Sequence, residues 1–355
     1  MKKINVLSLF WGIECGRVAM DRLGWDIDTY YSSEVDKYPI LQTKINFPDI
    51  IHLWDVQNID TKNLKKIDIL IWWSPCQDLS TAKSNGKWLD GEKSGLFFEY
   101  VRILKECNPK YFLLENVASM KKIDRDKITE IMWVEPILIN SSLVSAQNRK
   151  RLYWTNIPNI KQPEDKNIML RDILEDIPFD WYNGCKSCKW KPLDNKYIQK
   201  LWEREKSFTV TATYWWACPR DDFEKYNRSV VIWQFRRGDL RIHADQEKSC
   251  TLTANMWTGW HNVPVMFGMA LRNRWEWKMP EFNWSEKANA LTTVQTDSLI
   301  SDGYFWRKFT PIECERLQTL PDNFTKDLSD SRRYKAIGNW WTVDIIKHIL
   351  SFCNF

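Results

Sequence analysis

"INVLSLFWGIECGRVAMDRLG", residues 4–24, decides the fold. Residues 5–10 are an apolar run that reads as a strand. Cys15, Val18, Ala19 and Leu23 then fall at i, i+3, i+4 and i+8, the stripe of an amphipathic helix, and Gly24 stands where a helix-ending glycine belongs. Working outward, "DTYYSSE" is a second strand ending in Glu34, "IDILIW" another, "KYFLLEN" a fourth and "EPILINSSLV" a fifth, with helical stretches such as 94–106 between them. Strands alternating with helices imply an α/β fold with a doubly wound, mostly parallel sheet. Ligands of such sheets bind beyond the carboxyl ends of the strands, and Glu34, Cys76 and Glu115 all lie at such ends.

The pattern changes near residue 160. "KSFTVTATY", "KSCTLTANM" and "KANALTTVQ" form a weak repeat of alternating Thr and apolar residues, which reads as half-exposed strands. Three segments follow: 1–158, a smaller β-rich lobe over 159–305, and 306–355, where helical periodicity returns. Thr310-Pro311-Ile312-Glu313 is a capping box with proline at the first helical position, and a last helix over 342–352 buries Val343, Ile346 and Leu350.

Bulk composition excludes several classes. The chain has 355 residues, nine cysteines and a net charge of +5. No apolar run reaches the ~18 residues of a membrane span, and scattered cysteines in a chain this long fit a reducing cytoplasm. Cys185-Lys-Ser-Cys188 lacks a second pair at zinc-like spacing and reads as a loop, so no metal is expected. Only His52, His243, His261 and His348 could serve a cysteine hydrolase as base, and none has a catalytic context. The mild basic charge permits a nucleic-acid partner, with Arg149-Lys150-Arg151, Arg236-Arg237 and Arg332-Arg333 as local clusters.

Taken singly, a cysteine after proline, a glutamate ending an apolar strand and a basic run are all ordinary. In order, "SLFWGIECG", "SPCQDLS", "LLENV", "QNRKR" and "RYKAIGN" resemble the motifs of the DNA cytosine-5 methyltransferases. The resemblance covers roughly 1–158 and 306–355 and is nearest the de novo type and its phage and bacterial relatives, as in "GLFFEYVRIL". It implies that the middle lobe is a target-recognition domain and that the protein is a DNA (cytosine-5-)-methyltransferase acting on duplex DNA with S-adenosylmethionine as cofactor. Cys76 would be the nucleophile at cytosine C6, Glu115 the acid at N3, and Arg151 the contact to O2, with Arg149 as support or phosphate contact. The base must be flipped out of the duplex to be reached.

For the cofactor, the resemblance places Phe10 on the adenine, Glu34 on the ribose and Asp55 of "WDV" on the adenine amino group. Gly12, Ile13, Val35, Val56, Pro75, Leu96, Asn339 and Trp341 complete the wall. A cognate restriction enzyme is a further expected partner, and the oligomeric state carries no signature. The location implied is the cytoplasm of a bacterial or phage-infected cell.

One departure stands out. Glycine normally makes up about 7% of a chain, yet this one has 12 glycines and 22 tryptophans. By resemblance, Trp11, Trp54, Trp72, Trp73, Trp88, Trp133 and Trp340 stand at glycine positions, and Trp72 and Trp73 directly precede Ser-Pro-Cys. Indoles there would crowd the cofactor pocket. One reading is that these positions are glycines whose UGA codons are translated here as tryptophan; if the tryptophans are real, a catalytically impaired DNA-binding homologue is one alternative function, and a tRNA cytosine-5 methyltransferase is the other.

Overall fold

The computed structural model describes residues 3–10, 12–73, 95–176, 287–291, 299–301 and 306–355, together with the backbone of short strands between 233 and 283. Cys76, Pro75, Trp11 and Trp88, the Cys185–Cys188 pair and the first two copies of the Thr repeat lie outside these residues.

A strand, β1 (Ile4–Leu9), leads through a tight loop into α1 (Cys15–Arg22). The helix ends as its glycine demands. Gly24 adopts φ 68°, its N–H donates to the Asp21 carbonyl, and the Trp25 N–H reaches back to Met20. The chain continues through β2 (Ile27–Ser33), α2 (Lys37–Asn46), β3 (Ile51–His52), β4 (Ile69–Trp73), α3 (Gly95–Cys107), β5 (Tyr111–Val117) and α4 (Lys122–Met132). β6 (Ile137–Asn140), β7 (Gln147–Asn148) and β8 (Lys150–Thr155) follow.

Seven strands form one sheet in the order β3-β2-β1-β4-β5-β8-β6. β1 to β5 are mutually parallel where they pair, and β8 runs antiparallel to both β5 and β6. The "EPILINSSLV" segment is therefore strand only at Ile137–Asn140, because Asn140 accepts from the Ser142 N–H and starts a turn.

Alternation along the strands divides the core in two. Val6, Ile69, Ile71, Leu113 and Tyr153 pack with Val18 and Ala19 of α1 and with Val343, Ile346 and Leu350 near the C-terminus. Leu7, Leu9, Leu70, Trp72 and Leu114 face Phe97, Tyr100 and Val101 of α3 and Ile128 and Met132 of α4. Each such side chain contributes about 1.5–3 kcal/mol by leaving water. With helices on both faces, the sheet is doubly wound.

The C-terminal segment consists of α5 (Pro311–Leu317), α6 (Asp330–Asn339) and α7 (Val343–Leu350). α5 starts on the capping box read from the sequence: the Glu313 N–H donates to Thr310 Oγ1, and the Thr310 N–H donates to Glu313 Oε2. α7 shares the first core cluster with α1, and Arg22 Nη1 meets Asp344 Oδ1 at 2.8 Å.

The chain divides into two compact units, one comprising 1–177, 266–301 and 308–355, the other 178–265 and 302–307. The composition shift near 160 thus precedes the first unit's edge, since Leu170 and Ile173 are buried in that unit. Lys287 fastens its far side. The buried Nζ donates to the carbonyls of Ser142, Ser145 and Ile168 at 2.9, 3.2 and 2.6 Å. Antiparallel Phe267–Arg274 and Trp277–Asn283 also belong to this unit. In the second, Trp233–Arg236 pairs with Asp239–Ile242, and Thr258–Gly259 with Val263–Pro264.

Two tryptophans have unusual backbones. Trp54 has φ 60° and Trp133, which closes α4 with its N–H on the Thr129 carbonyl, has φ 58°. The left-handed region costs a residue with a Cβ roughly 1–2 kcal/mol. Both side chains are exposed, at 56% and 89%, so little burial offsets the strain.

Lys287→Met should lower the urea midpoint with an unchanged m-value. Three carbonyls, one buried and two half-buried, lose their shared donor, a loss of roughly 1–3 kcal/mol.

Candidate active site

Antiparallel pairing assembles the site. β5 ends at Val117, and because β8 runs the other way its first residues lie beside that end: Val117 pairs with Arg151, and Glu115 with Tyr153. Arg151 thereby arrives at the carboxyl edge of the sheet without a crossover helix. Its Nε lies 2.7 Å from Glu115 Oε1, and the two side chains are 13% and 2% exposed. Burial pushes the Glu115 carboxyl above the usual range, while Arg151, Arg149 and the Trp341 indole hold it back. The glutamate thus sits dry, with a proton more accessible than on a surface carboxyl.

Arg149 is buried and donates from Nη1 to the Leu291 carbonyl at 3.0 Å. The adjacent Gln147 is wholly buried, and its strand pairs in parallel with Ala288–Asn289. Arg333 is likewise no free cation, since its Nη2 meets the buried Glu315 Oε1 at 3.0 Å. Arg332 lies over the Tyr38 ring, 3.9 Å from its centre.

Along the same edge, the β1–α1 loop turns sharply, with φ 62° at Phe10, 35° at Gly12 and 60° at Glu14. The Gly12 N–H donates to Glu34 Oε2 at 3.1 Å, and the Val35 and Asp36 N–H groups donate to Glu34 Oε1 at 2.8 Å. Burial raises the Glu34 pKa against these three donors. Val35 stands 63% exposed beside it, whereas Ile13 and Val56 are buried. Asp55 Oδ1 accepts from the Gln57 N–H, starting a short turn. Phe10 approaches Trp72 at 6.2 Å between ring centres. Leu96 packs against the α3-side core, Asn339 is the last residue of α6, and Trp341 meets Tyr153 edge-on at 6.2 Å.

Two of the tryptophans expected at glycine positions come close to this edge. Trp72 is buried, stacks on Tyr100 at 4.7 Å, and its indole N–H finds no acceptor among the described residues. Trp340 lies against the loop itself. A Cβ built on Gly12 would meet Trp340 Cζ2 at 1.8 Å, so the indole presses on the glycine's α-carbon.

Glu14 is a residue sequence reasoning missed. Its carboxylate is fully buried: Ser8 Oγ donates at 3.0 Å and Tyr30 OH at 2.8 Å to Oε2, and Ser32 Oγ donates to Oε1. One side chain thereby ties the loop to β1 and β2. The available signal was a glutamate in an otherwise apolar loop, opposite the polar alternation of "YYSS". Desolvation pushes its pKa up to about 7, against the three hydroxyl donors.

Residues 4–354 match the family model described as C-5 cytosine-specific DNA methylase. The chain is 26% identical to the orphan methyltransferase M.SPRI of Bacillus phage SPR, covering 98% of this chain and 97% of that protein. It is also 26% identical to the type II methyltransferase M.Bsp6I of a Bacillus strain, with the same coverage. Among solved structures, an E. coli prophage-encoded DNA modification methyltransferase aligns over 99% of this chain and 98% of its own, with TM-score 0.58 and 19% identity. The S. pombe Dnmt2 methyltransferase aligns over 99% and 100%, with TM-score 0.55 and 14% identity.

The chain belongs to the C-5 cytosine-specific DNA methylase family. It is an S-adenosylmethionine-dependent DNA methyltransferase of the cytosine-5 kind. Among the described residues no helix is long and apolar enough to cross a membrane.

Glu14 gives the stability a pH dependence. The unfolded acid ionises near 4.5 and the folded one near 7, so stability falls as pH rises through that window and levels off above it. The integrated loss is on the order of 3 kcal/mol. Glu14→Gln should remove most of this slope in urea unfolding across the window; an unchanged slope would place its origin elsewhere.

Proposed function

We propose that this chain methylates cytosine through a covalent adduct on Cys76, with the flipped base held between Cys76, Glu115 and Arg151. The reading rests on the Glu115–Arg151 pair, buried at the carboxyl edge and 2.7 Å apart. Trp73, the register partner of Glu115, leads directly into Ser-Pro-Cys.

Cytosine C5 is a poor nucleophile. Addition of the Cys76 thiolate to C6 pushes an electron pair toward C5 and N3. Glu115, kept protonatable by burial, delivers its proton to N3 as the pair arrives. Arg151 orients the ring by donating to O2, and Arg149, fixed on the Leu291 carbonyl, supports it. When bound, S-adenosylmethionine supplies the electrophilic methyl. Loss of the C5 proton to a solvent base, departure of the Cys76 sulfur and return of the N3 proton to Glu115 then restore the aromatic ring.

The donor set at the neighbouring strand ends fits that cofactor. Glu34 suits ribose hydroxyls and Asp55 an exocyclic amine, while Val35 offers an exposed apolar face and Phe10 an aromatic one. Gly12, Ile13, Val56, Pro75, Leu96, Asn339 and Trp341 complete the proposed wall. Residues 1–158 and 306–355 carry the chemistry, and 159–305 the recognition of duplex DNA by contacts in its grooves. The enzyme class is DNA (cytosine-5-)-methyltransferase, working in the cytoplasm of a bacterial or phage-infected cell. A companion restriction endonuclease would read the same site.

Duplex DNA carrying 5-fluorocytosine should trap the protein as a stable adduct, because the fluorine cannot leave as a proton does, and Cys76→Ser should abolish trapping. Glu115→Gln should lower kcat by about 10²–10⁴-fold, and the parent's kcat should decline as rising pH removes the Glu115 proton. Binding of duplex with no adduct would mark a non-catalytic homologue, and labelled methyl passing to tRNA but not to DNA would move the substrate class.

A further inference from the structure

We propose that Trp54, Trp133 and Trp340 are glycines in the protein as its natural source makes it, their codons being UGA, read there as glycine. The backbone carries the argument. Four described helices end with a left-handed residue whose N–H closes the last turn: α1 at Gly24, φ 68°, α3 at Asn108, φ 40°, α4 at Trp133, φ 58°, and α5 at Thr319, φ 54°. The same chain uses the residue that conformation favours at one of these ends and one of the bulkiest at another. Trp54 repeats the anomaly at φ 60°.

Most other described left-handed residues have a local reason. Asn108, Asn159, Asn167 and Asn323 are of the type that tolerates the region through short polar side chains. Glu14 is held by three hydroxyls. Trp54 has a hydroxyl on its carbonyl, from Ser33 Oγ at 2.7 Å, and Lys44 Nζ 5.5 Å from its ring centre; a glycine would keep the first, and Trp133 is of neither kind. Their rings stand 56% and 89% exposed, so burial gives no reason for an indole.

Trp340 is anomalous in a different way. Its ring lies where a Gly12 Cβ would come within 1.8 Å of it, on the loop whose N–H groups and glycine belong to the proposed cofactor cradle. Glycine at 340 would clear the α-carbon of Gly12 for close approach by a ligand. The total of 22 tryptophans against 12 glycines points the same way. Trp341 is untouched by this reading, since its indole packs edge-on against Tyr153.

The decisive measurement is the intact and peptide mass of the protein isolated from its natural source. Glycine peptides at 54, 133 and 340 are expected; tryptophan at those positions overturns the proposal, as does UGG in the source gene. Recombinant variants test the physics. Trp133→Gly and Trp54→Gly should each raise the thermal midpoint, and by more than the corresponding alanine variants, because alanine keeps the Cβ that the left-handed backbone opposes. Alanine equal to or better than glycine counts against it.

The cofactor arm rests on the methyltransferase reading. Calorimetry with S-adenosylhomocysteine should show at least tenfold tighter binding for Trp340→Gly than for the parent, and no gain would overturn the assignment at 340. Mass and midpoint do not depend on any activity, so failure of the enzyme reading would leave them standing.

Discussion

Glu115 and Arg151 meet almost completely out of water, and the antiparallel course of β8 beside β5 is what brings them together. Two buried charges recover their hydration only if they meet at close range with their remaining hydrogen-bonding capacity used. The two groups meet at 2.7 Å because β8 reverses direction beside β5. A parallel β8 would carry Arg151 to the opposite edge and leave Glu115 uncompensated in the core. Arg149 adds a second positive charge to the same acid, fixed by the Leu291 carbonyl. The sole antiparallel member of the central strands is thus the one that brings the guanidinium.

A second buried acid organises the neighbouring half of the edge. Glu14 gathers hydroxyls from Ser8, Tyr30 and Ser32, while Glu34 gathers backbone N–H groups from Gly12, Val35 and Asp36. Between them the loop from Phe10 to Glu14 is held with left-handed backbones at Phe10, Gly12 and Glu14. Three carboxyls, at 14, 34 and 115, are all raised by desolvation, each against a different kind of donor. Hydroxyls, amides and a guanidinium oppose that desolvation at three different acids along one sheet edge.

Much of this was legible in the order of residues. Apolar strands alternating with an i, i+3, i+4 stripe gave the doubly wound sheet, Gly24 gave the end of α1, and Thr310 to Glu313 gave the start of α5. The reversal of β8 was not legible, because strand direction depends on pairing and leaves no mark on the local pattern. Nor was the burial of Arg149: a basic run looks solvated until Leu291, far along the chain, supplies a carbonyl. Glu14 escaped for the same reason, as its three partners lie on two different strands. The first compact unit runs on to residue 177, past the change of composition near 160, with Leu170 and Ile173 buried in it and Lys287 tied to the Ile168 carbonyl.

The packing of α7 on α1 has a bearing on biosynthesis. Arg22 meets Asp344 across 322 positions of sequence, and Val343, Ile346 and Leu350 wall off the same apolar cluster as Val18 and Ala19. Contacts so distant along the chain close late and slowly. While the ribosome is still adding the middle segment, the earliest strands stand with one face wet, so a polypeptide released early would offer that greasy face to chaperones and proteases.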